Sequence, residues 1–272
     1  MALFDEVGYW SEVKLEIVRK YAQAYSKILR ASGLHHVYID AFSGPGLHIS
    51  KGSGGFIPGS PLNALNVQPP FEEYYFIDIE QRKVDALAEI VGDRSDVHVL
   101  QGDCNERLLK DVFPKVRYKD YRRGLCFLDP YGLSLSWDVI KAAGALETLD
   151  IFLNFPLADM NRNVLRRIPE DVDPQQRQRM NRFWGDESWR DAAYSRAHDL
   201  FGEYDEKASN EAIAGAFRKR LTDVAGFAHV PEPMPMRNSR KAVVYYLFSA
   251  SHNKTAAKIA KDIFDKYRER GL

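Results

Sequence analysis

Apolar residues recur along the chain with two different spacings, one typical of helices and one typical of buried strands. Between residues 10 and 31 they return every three or four positions, which predicts an amphipathic helix. Short continuous apolar runs follow, each about the length of one buried strand. Five of these runs alternate with helical patterns, an order that predicts a parallel, doubly wound α/β sheet. The runs are residues 37–42, 74–79, 97–100, 125–128 and 149–153.

The regular alternation stops after Pro156. The segment that follows is polar and rich in helical patterns, with Trp184 and Trp189 as isolated anchors. We therefore predict an inserted helical subdomain at residues 161–225. The rest of the predicted division is an N-terminal helical segment at 1–36 and a core formed by 37–160 and 226–272.

Two more strand-like runs and a final helix lie in the last part of the chain. The runs are residues 227–230 and 243–250, and three prolines between them predict a long irregular connection. The helix, predicted for residues 255–268, carries apolar residues along one face.

The overall charge balance hides a strong asymmetry along the chain. The 272 residues include 38 basic and 38 acidic side chains, which argues against a uniformly basic nucleic-acid coat protein. Residues 72–106 are predominantly acidic, whereas residues 237–270 are predominantly basic, and the short stretch 115–123 carries five basic residues against one acidic residue. Two interpretations stay open, namely solvated helix faces or a basic surface that meets phosphate groups.

Several classes of protein are disfavoured by what the sequence lacks. No apolar run approaches the roughly 18 residues of a membrane span. The first residues show no signal-peptide pattern, so we expect a cytoplasmic protein that does not bind membranes. The two cysteines, Cys104 and Cys126, are too few for a disulfide framework or a zinc ribbon, and the histidines show no metal-binding spacing. We therefore predict no metal site.

The first predicted strand ends in a pattern that suits a ligand. Asp40 and Phe42 lead into a turn of small residues, Ser43-Gly44-Pro45-Gly46. Ligands of open parallel sheets bind at the carboxyl ends of the strands, and small residues let the backbone approach a ligand closely. The pattern lacks the third glycine of a dinucleotide-binding loop and the lysine of a P-loop, so neither of these sites is expected.

Acidic residues end the next two predicted strands. Asp78 is placed to accept ribose hydroxyls of a nucleoside, and Ile79 to cover an adenine face. Asp103 is placed to accept the adenine amino hydrogens. The alternatives are a favourable interaction of an acid with a helix dipole and an ordinary turn.

The fourth predicted strand ends in Asp129-Pro130-Tyr131. A carboxylate and a backbone carbonyl beside it provide two acceptors that can hold an exocyclic amine, and the aromatic ring can stack on a base. The fifth strand repeats the theme with Asn154 and Phe155, which we predict to bind substrate. Asp-Pro is also a common start of a turn. A further alternative is a metal-dependent nuclease with metal ligands at the strand ends, namely Asp40, Asp78, Asp103 and Asp129.

Taken together, these motifs resemble the class I S-adenosylmethionine-dependent methyltransferases and, more narrowly, the three-Cys-motif partner protein (TcmP) family. The resemblance implies a Rossmann-like fold with a mostly parallel seven-stranded sheet, an antiparallel last strand at residues 243–250 and a helical insertion. It implies S-adenosylmethionine as the cofactor, with Asp40 and the turn from Ser43 to Gly46 around its methionine part. Asp78 would bind the ribose and Asp103 the adenine.

The same resemblance suggests what the protein acts on. Asp129-Pro130-Tyr131 is similar to the Asp-Pro-Pro-Tyr motif of amino-methyltransferases that act on adenine, although the second proline is absent. A methyltransferase that acts on an exocyclic amine of a nucleic-acid base is the expectation. The family name also implies a partner protein with three clustered cysteines, so a cofactor-binding accessory subunit of such a partner is the alternative.

Overall fold

The structure is a computed structural model that describes residues 3–166, 171–199, 202–238 and 240–269. In these parts the helices are α1 (Tyr9–Ala31), α2 (Ser60–Leu65), α3 (Gln81–Val91), α4 (Cys104–Arg107), α5 (Trp137–Leu146), α6 (Leu157–Asn163), α7 (Pro174–Trp184), α8 (Trp189–Ala193), α9 (Asn210–Asp223) and α10 (Lys254–Glu269). The strands are β1 (Glu6–Val7), β2 (His35–Asp40), β3 (Leu47–Ser50), β4 (Phe56–Pro58), β5 (Glu73–Asp78), β6 (Val97–Gln101), β7 (Arg122–Leu128), β8 (Leu149–Phe155), β9 (Tyr194–Asp199), β10 (Gly202–Lys207), β11 (Met234–Arg237) and β12 (Val243–Ala250).

Seven strands form the central sheet in the order β11-β12-β8-β7-β2-β5-β6. The five strands β2, β5, β6, β7 and β8 pair in parallel, as the alternation of apolar runs and helices predicts. The last strand, β12, pairs antiparallel with both β8 and β11. The predicted α/β class is confirmed, and so is the mostly parallel seven-stranded sheet with an antiparallel last strand.

The strand predicted at residues 227–230 does not form. His229 makes only an isolated antiparallel bridge to Ser251, and the seventh member of the sheet is β11, which lies in the predicted irregular connection. The sequence pattern did not indicate this strand because it contains Pro235, and proline lacks the N–H that a central strand needs. β11 pairs only with β12, and an edge strand tolerates such a residue.

Two hydrophobic clusters cover the two faces of the sheet. One contains the apolar sides of α1 and α10, and the other those of α5, α7 and α9. In the second cluster, the Phe217 ring of α9 lies 4.7 Å from the ring of Phe155 and 5.4 Å from that of Phe248, between centroids. The helices of the predicted insertion therefore share the core of the sheet.

The predicted insertion is also less uniform than expected. Besides α7, α8 and α9 it contains an antiparallel hairpin of β9 and β10, in which Tyr194 pairs with Lys207. The division of the chain into a core and an inserted subdomain stays a prediction. Within the described residues, no helix is both long and apolar enough to cross a membrane.

Candidate active site

A pocket of about 550 Å³ lies at the carboxyl edge of the parallel strands. The loops after β2, β7 and β8 line it, together with residues before and within the first turns of α1 and with the start of β12. Because β12 runs antiparallel, its first residues reach the edge at which the parallel strands end. The predicted site residues in the lining are Phe42, Gly44, Asp129, Pro130, Tyr131 and Asn154. Those that do not line it are Asp40, Ser43, Gly46, Asp78, Ile79, Asp103 and Phe155.

Asp129 is held from two sides. The Lys14 ammonium forms an ion pair with Oδ2, and the Asn154 side-chain nitrogen donates to Oδ1 across 2.7 Å. A carboxylate only accepts hydrogen bonds, so the amide must turn its nitrogen toward Asp129 and its oxygen away. This oxygen, Oδ1 of Asn154, is buried and has no hydrogen-bond partner within the described part of the chain. The arrangement leaves a buried, unpaired acceptor beside the pocket.

Lys14 is a site residue that the sequence patterns did not single out. Its side chain is 8% exposed, and its ammonium lies 5.1 Å from the centroid of the Tyr245 ring and 5.9 Å from that of Phe127. Burial acts to lower the pKa of Lys14, but Asp129, Tyr245 and Asp40 together outweigh burial and raise the pKa above the ordinary value. The pocket wall therefore carries a fixed positive charge that is paired with Asp129.

A sequence signal for Lys14 does exist. Lys14, Val18, Tyr21 and Tyr25 follow one another at steps of four, three and four, and all four side chains are buried. A lysine in the apolar stripe of a helix needs a buried partner, because an unpaired buried charge is costly. The spacing thus distinguishes Lys14 from the solvated lysines of the same helix.

The glycine turn after β2 is open toward the pocket. Gly44 has φ +62°, and a Cβ placed on it would meet no atom within 4 Å, so a side chain there would extend into open space. Gly46 has φ +86°, and its Cβ would lie 2.9 Å from the Cδ1 of Leu87. Gly44 therefore keeps the pocket open, whereas Gly46 allows close packing of the turn on α3.

Asp78 stabilises this turn by accepting hydrogen bonds from backbone N–H groups. Its Oδ2 accepts from the backbone N–H of Gly44 at 3.0 Å, and its Oδ1 accepts from that of Glu80 at 2.8 Å. Ser43 is also buried, and its N–H donates to the carbonyl of Ile77. These contacts hold the turn in shape whether or not Asp78 also meets a ribose.

Asp40 is fully buried beside the turn. Its Oδ1 accepts from the N–H of Phe42 at 3.2 Å, and its Oδ2 has no hydrogen-bond partner within the described residues. Burial raises the pKa of Asp40 to about 7. A cationic group brought near this carboxyl would stabilise its charged form.

The residues predicted for adenine lie at the ends of β5 and β6. Ile79 is one of the most exposed apolar side chains of the described structure. Asp103 caps α4, with Oδ1 accepting from the N–H of Asn105 at 2.8 Å, and its Oδ2 lies 3.8 Å from Arg182 of α7. Arg182 thus reaches this edge, which spacing along the sequence alone could not reveal.

Tyr131 is anchored by residues distant in sequence. Its hydroxyl donates to Oδ2 of Asp5 at 3.0 Å, and the Lys83 ammonium lies 5.2 Å from the centroid of its ring. Asp5 precedes β1, which pairs in parallel with β3. The segment before α1, which has no recognisable periodicity, therefore forms one side of the pocket.

Phe155 has a different position from that expected. Its side chain is fully buried among the rings of Phe183, Phe217 and Phe248, on the opposite face of β8 from Asn154. Successive strand residues point to opposite faces, so only one of the two can face the pocket. Phe155 has no surface for a substrate, and only Asn154 remains in the proposed substrate-binding set.

The aspartates of the nuclease alternative each have a separate structural setting. Asp78 accepts from backbone N–H groups, Asp103 caps a helix, and Asp129 pairs with Lys14. In the part of the chain that the structure describes, no group of three or more His, Cys, Asp or Glu residues is arranged to hold a metal ion. This arrangement gives the nuclease alternative no support.

The sequence matches no protein-family model, and it matches no curated protein at a significant level. Solved structures do match. Protein LPL1258 from Legionella pneumophila, of the family model DUF519, aligns with a TM-score of 0.51 at 12% identity, over 95% of this chain and 92% of its own. That alignment supports a shared fold. The chain has a doubly wound, Rossmann-like α/β fold.

Two other alignments are weaker. A candidate S-adenosylmethionine-dependent methyltransferase from Listeria monocytogenes has a TM-score of 0.42 at 11% identity, over 87% of this chain and 99% of its own. An S-adenosylmethionine-dependent methyltransferase from Aquifex aeolicus has a TM-score of 0.32 at 14% identity, over 85% of this chain and 90% of its own.

Proposed function

We propose that this protein is an S-adenosylmethionine-dependent methyltransferase that acts on an exocyclic amine of a nucleic-acid base. The observation that carries the proposal is the buried, unpartnered Oδ1 of Asn154, which lies beside Asp129-Pro130 at the pocket that Gly44 opens. An acceptor held at this place is suited to an amine and not to a carboxylate or phosphate, which would be repelled.

The cofactor would occupy the edge of the sheet from Gly44 to Asp103. Asp40, Phe42, Ser43, Gly44 and Gly46 would surround its methionine part, and the unpartnered Oδ2 of Asp40 suits a nearby ammonium group. Asp78, Ile79 and Asp103 would surround the adenosine. When bound, the cofactor supplies an electrophilic methyl group.

The amine would be oriented by two acceptors, Oδ1 of Asn154 and the backbone carbonyl of Pro130. Asp129 would position Asn154 and, because each of its carboxylate oxygens can accept a second hydrogen bond, would also receive the amine, as the sequence predicts. Holding the nitrogen in line with the methyl group supplies most of the rate enhancement, since correct positioning replaces a rare encounter.

Tyr131 would provide the stacking surface for the base. Its ring is 60% exposed, while its hydroxyl is fixed by Asp5. A ring held in place loses less freedom when a base stacks on it. The missing second proline of the motif is thus compensated by an anchor from the segment before α1.

Calorimetric titration with S-adenosylmethionine tests the cofactor assignment. Transfer of a tritiated methyl group to unmethylated DNA and to total RNA then tests the substrate class. We expect binding, and transfer to one of the two nucleic acids. A titration of the unmutated protein without heat of binding contradicts the cofactor, and transfer to neither polymer contradicts the substrate.

The resemblance to the three-Cys-motif partner family supports a second proposal, a cofactor-binding accessory subunit. Such a subunit would bind S-adenosylmethionine but would transfer no methyl group alone. Co-purification with a protein that carries three clustered cysteines, together with methyl transfer by the pair only, would distinguish it from the enzyme that acts alone.

A further inference from the structure

The loop of residues 115–123, which precedes β7 and includes its first two residues, is not used by the proposed reaction. It lies at the amino end of β7, whereas Asp129 follows the carboxyl end of the same strand. The seven residues of β7 separate the two places by about 20 Å. A function of this loop is therefore distinct from the chemistry at the pocket.

The loop displays two aromatic rings to solvent. Tyr118 is 66% exposed and Tyr121 is 70% exposed, more than any other aromatic side chain in the described part of the structure. They begin and follow a single 3-10 turn, Tyr118–Asp120, and the N–H of Tyr121 donates to the carbonyl of Tyr118 at 3.0 Å. Exposed rings so close together on one turn are not explained by packing.

The backbone at Tyr121 is the second unusual feature. Its φ of 55° and ψ of 26° lie in the left-handed region, which a bulky residue seldom adopts. Glycine or asparagine would fit there without strain. A tyrosine that keeps a strained backbone and buries little of its ring gains nothing from the fold, so its presence points to a contact outside the chain.

The charges of the loop fall into two groups. Arg117 pairs with Asp120, and Arg122 pairs with Glu73, at 2.5 and 2.7 Å, and these pairs hold the turn. Lys115, Lys119 and Arg123 form no ion pair with an acidic side chain among the residues that the structure describes. Lys115 and Lys119 are exposed and available to an anionic ligand, whereas Arg123 is half-buried, donates to the carbonyl of Arg122 at 2.8 Å and interacts electrostatically with the buried Asp150.

Arg123 also fixes one of the rings. Its guanidinium carbon lies 4.4 Å from the centroid of the Tyr118 ring. The arginine occupies one face of the ring, which leaves the other face for stacking. A planar cation on a tyrosine is a combination that stacks with bases and attracts phosphate at once.

We infer that the loop of residues 115–123 is a docking site for single-stranded nucleic acid, with bases stacked on Tyr118 and Tyr121 and phosphates on Lys115 and Lys119. An acidic peptide would need the charges but not two exposed rings, and bases in a duplex are unavailable for stacking. The inference deepens the proposed methyl transfer to a nucleic acid and rests on it for its biological meaning. Binding at the loop needs no cofactor, so an experiment can contradict the docking site and the proposed methyl transfer independently.

Fluorescence anisotropy tests the site with four labelled probes: a single-stranded oligouridylate, a single-stranded oligothymidylate, a mixed-sequence duplex and a glutamate-rich peptide. We expect a single-stranded probe to bind more tightly than the duplex or the peptide. Tyr118→Ala and Tyr121→Gly should each weaken that binding by about fivefold to a hundredfold. Tyr121→Gly also relieves the backbone strain, so a loss of binding with an unchanged unfolding temperature identifies the ring as the cause.

Two lysine variants, one in the loop and one outside it, test the contribution of charge to binding. Lys119→Ala should reduce the slope of log affinity against log salt by about 0.7 for a single strand, and Lys141→Ala, an exposed lysine of α5, should leave it unchanged. Equal binding of peptide and oligonucleotide, or unchanged affinity in both tyrosine variants, overturns the inference. If the unmutated protein binds the oligonucleotide but gives no heat of S-adenosylmethionine binding in calorimetry, the proposed function is overturned instead.

Discussion

The side-chain nitrogen of Asn154 donates to Oδ1 of Asp129 across 2.7 Å, and this contact directs the amide oxygen of Asn154 away from the carboxylate. If that oxygen receives the substrate amine, Asn154→Ala should lower the rate of methyl transfer by about 10- to 100-fold, the value of one hydrogen bond to a group that gains charge. The affinity for S-adenosylmethionine should not change. Single-turnover transfer and calorimetry measure the two quantities.

The matched control for this prediction is Asn66→Ala, which removes an exposed amide at the end of α2. It should have the activity of the unmutated protein. Full transfer activity in Asn154→Ala would mean that the amine is oriented by other groups.

The ion pair between Lys14 and Asp129 gives a prediction for stability. Asp129→Ala leaves the buried Lys14 ammonium without its partner and should lower the free energy of unfolding by about 2–4 kcal/mol. The double variant Lys14→Met, Asp129→Ala removes both charges and should recover most of this loss. Urea unfolding of Asp129→Ala, Lys14→Met and the double variant measures the coupling. If the effects of the two substitutions simply add, the pair has no mutual stabilisation.

The open space above Gly44 gives a prediction for cofactor binding. Gly44→Arg should abolish binding of S-adenosylmethionine, because the side chain would extend into the pocket. Gly54→Arg is the control, since Gly54 also has a positive φ and open space around its Cβ but lies in the turn between β3 and β4. Both substitutions place an arginine at a positive φ, +62° at Gly44 and +70° at Gly54. Binding retained by Gly44→Arg, measured in the same titration, would place the cofactor elsewhere.

Asp40 gives a prediction for pH. Its pKa of about 7 in the folded chain lies above the ordinary aspartate value, so its favourable effect on stability is complete at acidic pH and is lost as the pH rises from about 4 to 7. Asp40→Asn should therefore gain stability over the unmutated protein at pH 8, by up to about 4 kcal/mol, and little at pH 4. Thermal unfolding at the two pH values provides the measurement.

The same carboxyl should release its proton when a cationic ligand binds. At pH 6.5, titration with S-adenosylmethionine in two buffers of different ionisation heat should reveal release of most of one proton. The release should disappear in Asp40→Asn. Equal heats in the two buffers for the unmutated protein would show that the ligand does not change the ionisation of Asp40.

The sequence predicted the sheet and part of the site, because both depend on local patterns. Apolar runs mark the five parallel strands, and the residues that end them include Gly44, Asp129 and Asn154, all of which line the pocket. The strand at Met234–Arg237 was not predicted because it contains a proline. Proline is tolerated in an edge strand, which has a neighbouring strand on one side only. Edge positions depend on the assembled sheet and not on the local sequence.

Contacts distant in sequence explain the other differences. Lys14 meets Asp129 across 115 positions, and Asp5 meets Tyr131 across 126, so no spacing rule connects them. Phe155 was assigned to the substrate because it follows Asn154, although adjacent strand residues face opposite sides. Strand alternation is a local rule, and it is sufficient by itself to place these two residues on different faces.

Helix α1 imposes a constraint on how this chain can change in length. The direction of Lys14 is set by the same continuous helix whose Tyr21 hydroxyl donates to Oδ2 of Asp150 at 2.7 Å. One residue inserted between Lys14 and Tyr21 would rotate the ammonium by about 100° relative to that anchor and remove it from Asp129. Insertions and deletions in natural variants should therefore fall in turns such as that around Gly54, and the spacing between Lys14 and Tyr21 should stay constant.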